Sequence, residues 1–271
     1  MPRSLLKRMS ECDVKFLESA QRIVDGEPTV RDVCATCNGG PLSALDNYIC
    51  GLYDTYFDRI LKPSQTVLFK YDFHKLARWL LKVSFNSART KNEGDALILA
   101  RYREYILDPI RKHPQLALFL QLAGPRVLTK AEAARIDPRW LKQLPRTPNG
   151  GHQIPPTMVR ISRAVSSQPF APVVHRLVSI NSFYFYILIS RDAPLLPKAW
   201  KDIRRSTKAR LDEAQQIPED SNPIRISVSS LDHVSSFTPT TIANRSVFQE
   251  WLRQLQGSQH TEGESGTVRD H

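Results

Sequence analysis

The run FYFYILI at positions 183–189 is the longest apolar stretch of the chain and most constrains its fold. This run is far too short to cross a bilayer as a helix, so it is best explained as a buried strand. The stretches MVRISRAV, HRLVSINSFYFYILIS and NPIRISVSS share its β-branched and aromatic composition and alternate in part, which is typical of strands. A strand-containing C-terminal region is therefore predicted over residues 159–256, followed by a polar, disordered tail over 257–271.

Helical spacing dominates the earlier part of the chain. Between Pro41 and Pro63, apolar residues recur at the spacing of one helix face, at Leu42, Leu45, Ile49, Leu52, Tyr53, Tyr56 and Ile60. Further helices are predicted over 73–90 and 93–107, and another is considered over 3–23. Helices followed by strands place the chain in the α+β class.

The distribution of charge favours a polyanionic partner. The formal charge is +11, and the excess lies in the middle of the chain, with 16 Lys and Arg against 7 Asp and Glu over 61–145 and 11 against 2 over 146–210. Nucleic acid and an anionic membrane surface both fit such a charge, although a generic basic protein has it too. No apolar run in the first twenty residues indicates a secretory signal, so a cytoplasmic location and no membrane partner are expected.

Cysteine spacing provides the main chemical signal. In RDVCATCNGGPLSALDNY, from Arg31 to Tyr48, Cys34 and Cys37 have the spacing of a zinc knuckle. Such a pair is half of a tetrahedral site, and no second Cys-x-x-Cys is present. Cys50 falls mid-helix and is predicted to be a core residue, and Cys12 stays unassigned. A thioredoxin-like redox role has little support, because no thioredoxin-like pattern surrounds the pair.

The same segment resembles the second half of HNH-type endonucleases, which have the ββα-metal fold. In that family a Cys-x-x-Cys knuckle is followed at once by His or Asn, and then by the helix of the motif. The matching positions are Cys34, Cys37, Asn38, Leu42, Ser43, Leu45 and Asp46. The resemblance implies a zinc-knuckle element with a structural zinc on Cys34 and Cys37. It also implies a catalytic role for Asn38, near a divalent cation such as Mg²⁺.

In such nucleases the divalent ion polarises the phosphate, and a histidine on the preceding β-hairpin activates water. Here the chain departs from the family, because no histidine precedes His74 and the first Cys-x-x-Cys is missing. The opening MPRSLL matches residues that follow the base histidine in the family, in stretches such as Glu-His-(Ile/Val)-x-Pro-(Arg/Lys)-Ser-Leu. One hypothesis is that the chain begins inside the motif, as a truncated or degenerate member. The other is that this short match is chance.

The remaining histidines are not expected to act as a base. His74 lies among Lys75 and Arg78 on the polar side of a helix, so contact with solvent or phosphate is the expected role. His152 has no paired carboxylate in its loop. No ligand-like spacing relates the other histidines considered, which are His175, His233 and His260.

The resemblance gives a partial HNH-like knuckle and helix at 1–62. Charge and composition give a basic helical region at 63–135 and a Pro/Gly-rich connector at 136–158, ahead of the C-terminal region and tail. Three functions stay open. The first is an HNH-like endonuclease that cuts DNA in a full-length form and is weak or inactive without its histidine. The second is a non-enzymatic nucleic-acid- or protein-binding protein with a structural zinc knuckle. The third is a globular protein whose cysteine turn binds nothing.

Overall fold

A computed structural model describes most of the chain. The residues it describes are 5, 8, 14–17, 22–25, 33–91, 93–108, 110–111, 115–134, 138–142, 144, 146–154, 156, 159–163, 172–191, 194–211 and 213–229. Cys12, His233, His260 and the predicted tail at 257–271 lie outside these residues.

Two short strands come first and form an antiparallel pair. β1, Val14–Leu17, pairs with β2, Arg22–Asp25. The helix considered over 3–23 is therefore wrong in this half. Ile23 and Val24 give a physical reason, because β-branched side chains lose rotamer freedom in a helix and favour extended backbone.

One helical segment then begins directly after Cys34. It consists of α1 Ala35–Cys37, a π-helical turn Asn38–Leu42, α2 Ser43–Leu52 and a second π-helical turn Tyr53–Phe57. The helix predicted between Pro41 and Pro63 is confirmed over most of its length, and it starts earlier than expected because α1 and the first π-helical turn precede α2. It ends at Phe57, so Ile60, which was predicted on its apolar face, lies outside it and is 42% exposed.

The next helices follow the sequence pattern closely. α3, Phe73–Thr90, has the predicted bounds, and the Asp72 carboxylate caps it by accepting a hydrogen bond from the Lys75 backbone N–H at 3.0 Å. The helix predicted over 93–107 is two helices, α4 Asp95–Ala100 and α5 Arg103–Leu107, separated by a turn.

A seven-stranded mixed sheet holds most of the remaining chain. Its members are β3 Thr66–Phe69, β4 Leu116–Ala123, β7 Val159–Arg163, β8 Val173–Ile180, β9 Phe183–Ser190, β10 Gln215–Ile217 and β11 Ile224–Ser229. The strand order is β3-β11-β4-β9-β8-β7, with β10 also paired to β4. All neighbours are antiparallel except β11 and β4. The predicted α+β class is confirmed.

Strands β3 and β4 come from the region predicted to be helical, and both join the sheet formed by the C-terminal strands. Every residue of β4 is buried. A continuous apolar run such as LALFLQLA has no alternation that would distinguish a central strand from a buried helix. The two regions therefore share one sheet, and the proposed domain boundaries stay a prediction.

The two faces of the sheet carry different helices. The larger core contains alternate residues of the central strands, such as Leu118 of β4 and Phe185 of β9, together with the buried faces of α2 and α3. On the opposite face, residues such as Phe119 and Leu188 pack against helix α8, Pro197–Arg210. This two-sided burial explains why β4 and β9 are apolar nearly throughout.

Smaller elements complete the described part. They are β5 Arg126–Val127 paired with β6 Gln153–Ile154, the short helices α6 Lys130–Ala133 and α7 Pro138–Leu141, and α8 Pro197–Arg210. The basic stretch KAWKDIRRSTKARLDEA thus forms a helix over most of its length. Within the described residues, no helix is both long and apolar enough to cross a membrane.

Candidate functional site

Cys34, Cys37 and Asn38 lie together in the first turn of the helical segment. Cys34 has extended backbone, with φ −64° and ψ 155°, and acts as the N-cap of α1. Its Sγ accepts a hydrogen bond from the Cys37 backbone N–H at 3.3 Å, and its carbonyl accepts one from the Asn38 backbone N–H at 3.0 Å. A thiol sulfur thus takes the capping role that a serine or aspartate oxygen usually has.

The two thiols of this turn differ in acidity. Hydrogen bonds from the Cys37 backbone N–H and then from the Cys37 thiol lower the pKa of Cys34 below its ordinary value. The same thiol–thiol hydrogen bond, with partial desolvation, raises the pKa of Cys37. Cys34 is exposed and Cys37 is partly exposed. The turn therefore presents to solvent the Cys34 sulfur, which ionises more readily than an ordinary thiol. Beside it lies the Cys37 sulfur, which ionises less readily than an ordinary thiol.

This asymmetry predicts an order of modification by iodoacetamide at pH 7. Cys34 should react several-fold faster than Cys37, because the thiolate is the nucleophile and a lowered pKa populates it at lower pH. Cys50 should react last among the three in the folded chain, since it is 4% exposed. Time-resolved peptide mass spectrometry measures all three rates. Equal rates for Cys34 and Cys37, or faster reaction of Cys37, would contradict the hydrogen-bond arrangement.

A matched variant separates the two causes. Cys37→Ala removes the thiol donor but keeps the backbone N–H of residue 37, which is the larger cause of the lowered pKa of Cys34. Cys34 should then react more slowly than in the parent chain, yet still faster than after unfolding in urea. Loss of the whole enhancement would show that the backbone hydrogen bond has no influence.

The zinc expected on this pair can be tested against the donor atoms present. Structural zinc takes four ligands in tetrahedral geometry. Within the described residues, no group of three or more His, Cys, Asp and Glu side chains is placed to hold a metal ion. Cys50, predicted to be a core residue, is buried in the main core. The described residues therefore supply two sulfurs of the right chemistry and do not complete a zinc site.

Asn38 lies at the start of a bend between the cysteine turn and α2. Asn38 and Gly39 are exposed, Gly40 has φ −96° and ψ −105°, outside helical values, and Pro41 has no N–H to donate. Asn38 thus directly follows the two cysteines on an exposed turn. Its catalytic role stays a prediction.

Asp46, which also matches the family pattern, is held by side chains of α3. Its Oδ1 accepts hydrogen bonds from Lys82 Nζ at 2.5 Å and from Trp79 Nε1 at 3.2 Å. The Lys82 and Asp46 side chains are 13% and 20% exposed. Asp46 therefore joins α2 to α3. Leu45 and Ile49, on the same helix, pack in the main core and anchor the helix that follows the cysteine turn.

The described histidines have other surroundings. His74 is exposed, and its Nδ1 lies 2.9 Å from the Tyr105 hydroxyl oxygen. His175 lies on the α8 side of the sheet, and burial, with a smaller contribution from Arg210, lowers its pKa. Neither these nor His152 belongs to a metal-binding group of the described residues. Among the described residues, no histidine therefore forms a metal-binding group with Cys34, Cys37 and Asn38.

The chain matches no family model, no curated protein and no solved structure. The likeness to HNH-type endonucleases therefore rests on the segment from Arg31 to Tyr48.

Proposed function

We propose that the chain is an HNH-endonuclease-like protein, with metal-dependent cleavage of DNA phosphodiester bonds in a form that supplies the base histidine. The observation that carries the proposal is the order of elements around Cys34. An antiparallel pair, β1 and β2, is followed by a helical segment whose first turn presents Cys34, Cys37 and Asn38. This is the order of the ββα-metal motif that the sequence resembles.

The proposal assigns no cleavage step to the described residues alone. They hold two sulfurs and one amide at the turn, which complete neither a zinc site nor the site of a catalytic cation. Activity is therefore expected of a longer chain, extended by the residues encoded in frame ahead of Met1, if these supply a histidine and a further Cys-x-x-Cys. Translating that upstream frame is the first step of the test, and a frame without them removes the cleavage part of the proposal.

In the extended protein, Asn38→Ala should lower the rate of plasmid nicking by roughly 10–100-fold, the usual loss when a group that positions a metal is removed. Nicking of supercoiled DNA is followed on gels with Mg²⁺, Mn²⁺ or Ni²⁺, and with a chelator as the blank. Asn47→Ala is the matched control, because Asn47 is an exposed asparagine of α2 outside the cysteine turn. Equal activity of the Asn38 variant and the parent, or cleavage that persists with chelator, would remove Asn38 from the site.

A second candidate function is non-enzymatic nucleic-acid binding, with the knuckle as a structural element. The observation that favours it is a row of exposed cations on α8, a helix on the sheet face opposite to α2 and α3. Binding without cleavage in every divalent ion would support this function over the first.

A further inference from the structure

Helix α8 combines a buried side with an exposed basic side. Trp200 and Thr207 are buried and Ile203 is partly buried, at the i, i+3, i+7 spacing of one helix face. Trp200 and Ile203 pack with Phe119 and Leu188 of the sheet. The exposed side carries four cations at spacings of three, four and three residues, which places them in one row along the helix: Lys198, Lys201, Arg205 and Lys208.

Two cations of α3, Arg78 and Lys82, are engaged within the chain. Lys82 pairs with Asp46, and both of these side chains are mostly buried. Lys75 pairs with Asp72 at 3.2 Å, but these two side chains are exposed, so this pair competes only weakly. Arg78 is buried, and its Nε donates to the carbonyl of Ile106. Intramolecular partners of this kind compete with phosphate for the same donors. The basic surface that α3 offers is therefore smaller than its sequence indicates.

The row on α8 has few such competitors. Within the described residues, the one carboxylate within 4.0 Å of a row cation is Asp202, which lies 3.8 Å from Arg205 Nη1. Both of these side chains are mostly exposed, at 73% and 56%, and such pairs contribute little. The row also lies in the part of the chain, 146–210, where Lys and Arg outnumber Asp and Glu by 11 to 2.

We propose that this row, hereafter the α8 row, binds the phosphate backbone of double-stranded DNA without reading its sequence. From residue 198 to residue 208 the helix rises about 15 Å, a length over which a duplex presents several phosphates. A membrane surface fits less well, because interfacial helices insert their apolar side into the lipid, whereas Trp200 and Ile203 are packed on the sheet. The inference rests on the nucleic-acid partner of the proposed function but not on cleavage.

The test measures the affinity of the full chain for a fluorescently labelled random-sequence duplex as a function of salt. The main variant changes all four row cations to glutamine, a good helix former. Because each phosphate contact on B-DNA contributes about −0.9 to the slope of log K against log salt, its slope should be shallower by about 3–4. Affinity at low salt should fall at least about tenfold. A variant that changes the row lysines to arginine should keep the parent slope.

A control with the same net charge separates the row from overall charge. It changes four exposed cations elsewhere to glutamine, at Arg59, Lys62, Lys70 and Lys142, and it should stay within about threefold of the parent affinity because distant charges are screened. Circular dichroism and thermal unfolding confirm that both quadruple variants fold.

Two results would overturn the inference. One is equal weakening of DNA binding in the row variant and the control. That result would keep DNA as a partner but would show that the α8 row is not the surface that binds it. The other is no DNA binding by the parent chain, including the case in which it binds phosphatidylserine vesicles instead. The nicking assay of Asn38→Ala is read independently, so failure of the α8 row and failure of the proposed nuclease are distinguishable.

Discussion

Replacing Arg176 with methionine is expected to lower the free energy of unfolding by about 3–5 kcal/mol. Arg176, on β8, has a fully buried side chain and pairs with Glu93 and with Asp95, whose Oδ2 lies 3.3 Å from Arg176 Nη1. Arg176 Nη2 also donates to the carbonyl of Ser84. The Asp95 carboxylate is only 3% exposed. Removing the Arg176 cation therefore leaves this negative charge without its positive partner in a medium of low dielectric constant.

The measurement is urea unfolding at pH 7, with Arg205→Met as the control. Arg205 also pairs with a carboxylate, but in solvent, so its loss should change stability by less than about 0.5 kcal/mol. A loss below about 1 kcal/mol for Arg176→Met would show that the buried ion cluster contributes little. Adding Asp95→Asn to Arg176→Met should recover part of the stability, because it removes the charge that the first change leaves behind.

This cluster also shows what a sequence pattern leaves out. Helix α3 was predicted with its bounds because apolar residues at helical spacing are a local signal. Arg176 is one of three polar residues of β8, with His175 and Ser179. Its partners Glu93 and Asp95 are remote in the chain. Nothing local marks such a pairing, since it arises only when the start of α4 packs against β8.

The candidate site likewise has features that the sequence predicts and features that it does not. The spacing of Cys34, Cys37 and Asn38 predicted their proximity, because neighbouring residues in one turn remain neighbours. The different acidity of the two thiols depends on which sulfur caps the helix, and spacing alone does not give that direction. The α8 row was visible as a basic stretch, and its 3-4-3 spacing was the available signal. The difference between this row and the cations of α3 is clear only when the intramolecular partners of the α3 cations are known.

Strand β4 and the pair β1–β2 were missed for different reasons. β4 is buried on both faces, so its sequence has no period to read. The pair lies in a stretch whose few apolar residues suit either a helix or strands. The chain's tertiary arrangement decides between the two, and propensity is only a weak prior.

The largest packing effect is expected at Phe69, the last residue of β3. Its ring contacts an aromatic cluster from the helical segment, from β9 and from the connection between β3 and α3. The ring centroids are 5.1–6.2 Å away, at Tyr56, Phe57, Tyr71, Phe183 and Phe185. Phe69→Ala should lower the free energy of unfolding by about 3–5 kcal/mol, because the ring's transfer free energy is lost and a cavity remains. Phe69→Leu should recover most of this loss, since it refills much of the volume.

The adjacent residue provides the control, because successive side chains of a strand point to opposite faces. Leu68 is 46% exposed whereas Phe69 is fully buried, so Leu68→Ala should change stability by no more than about 0.5 kcal/mol. Urea unfolding of the three variants at one pH measures the contrast. If Phe69→Ala and Leu68→Ala cost the same, β3 does not pack as described. A large loss at Phe69 alone would show that this short edge strand ties the helical segment to the centre of the sheet.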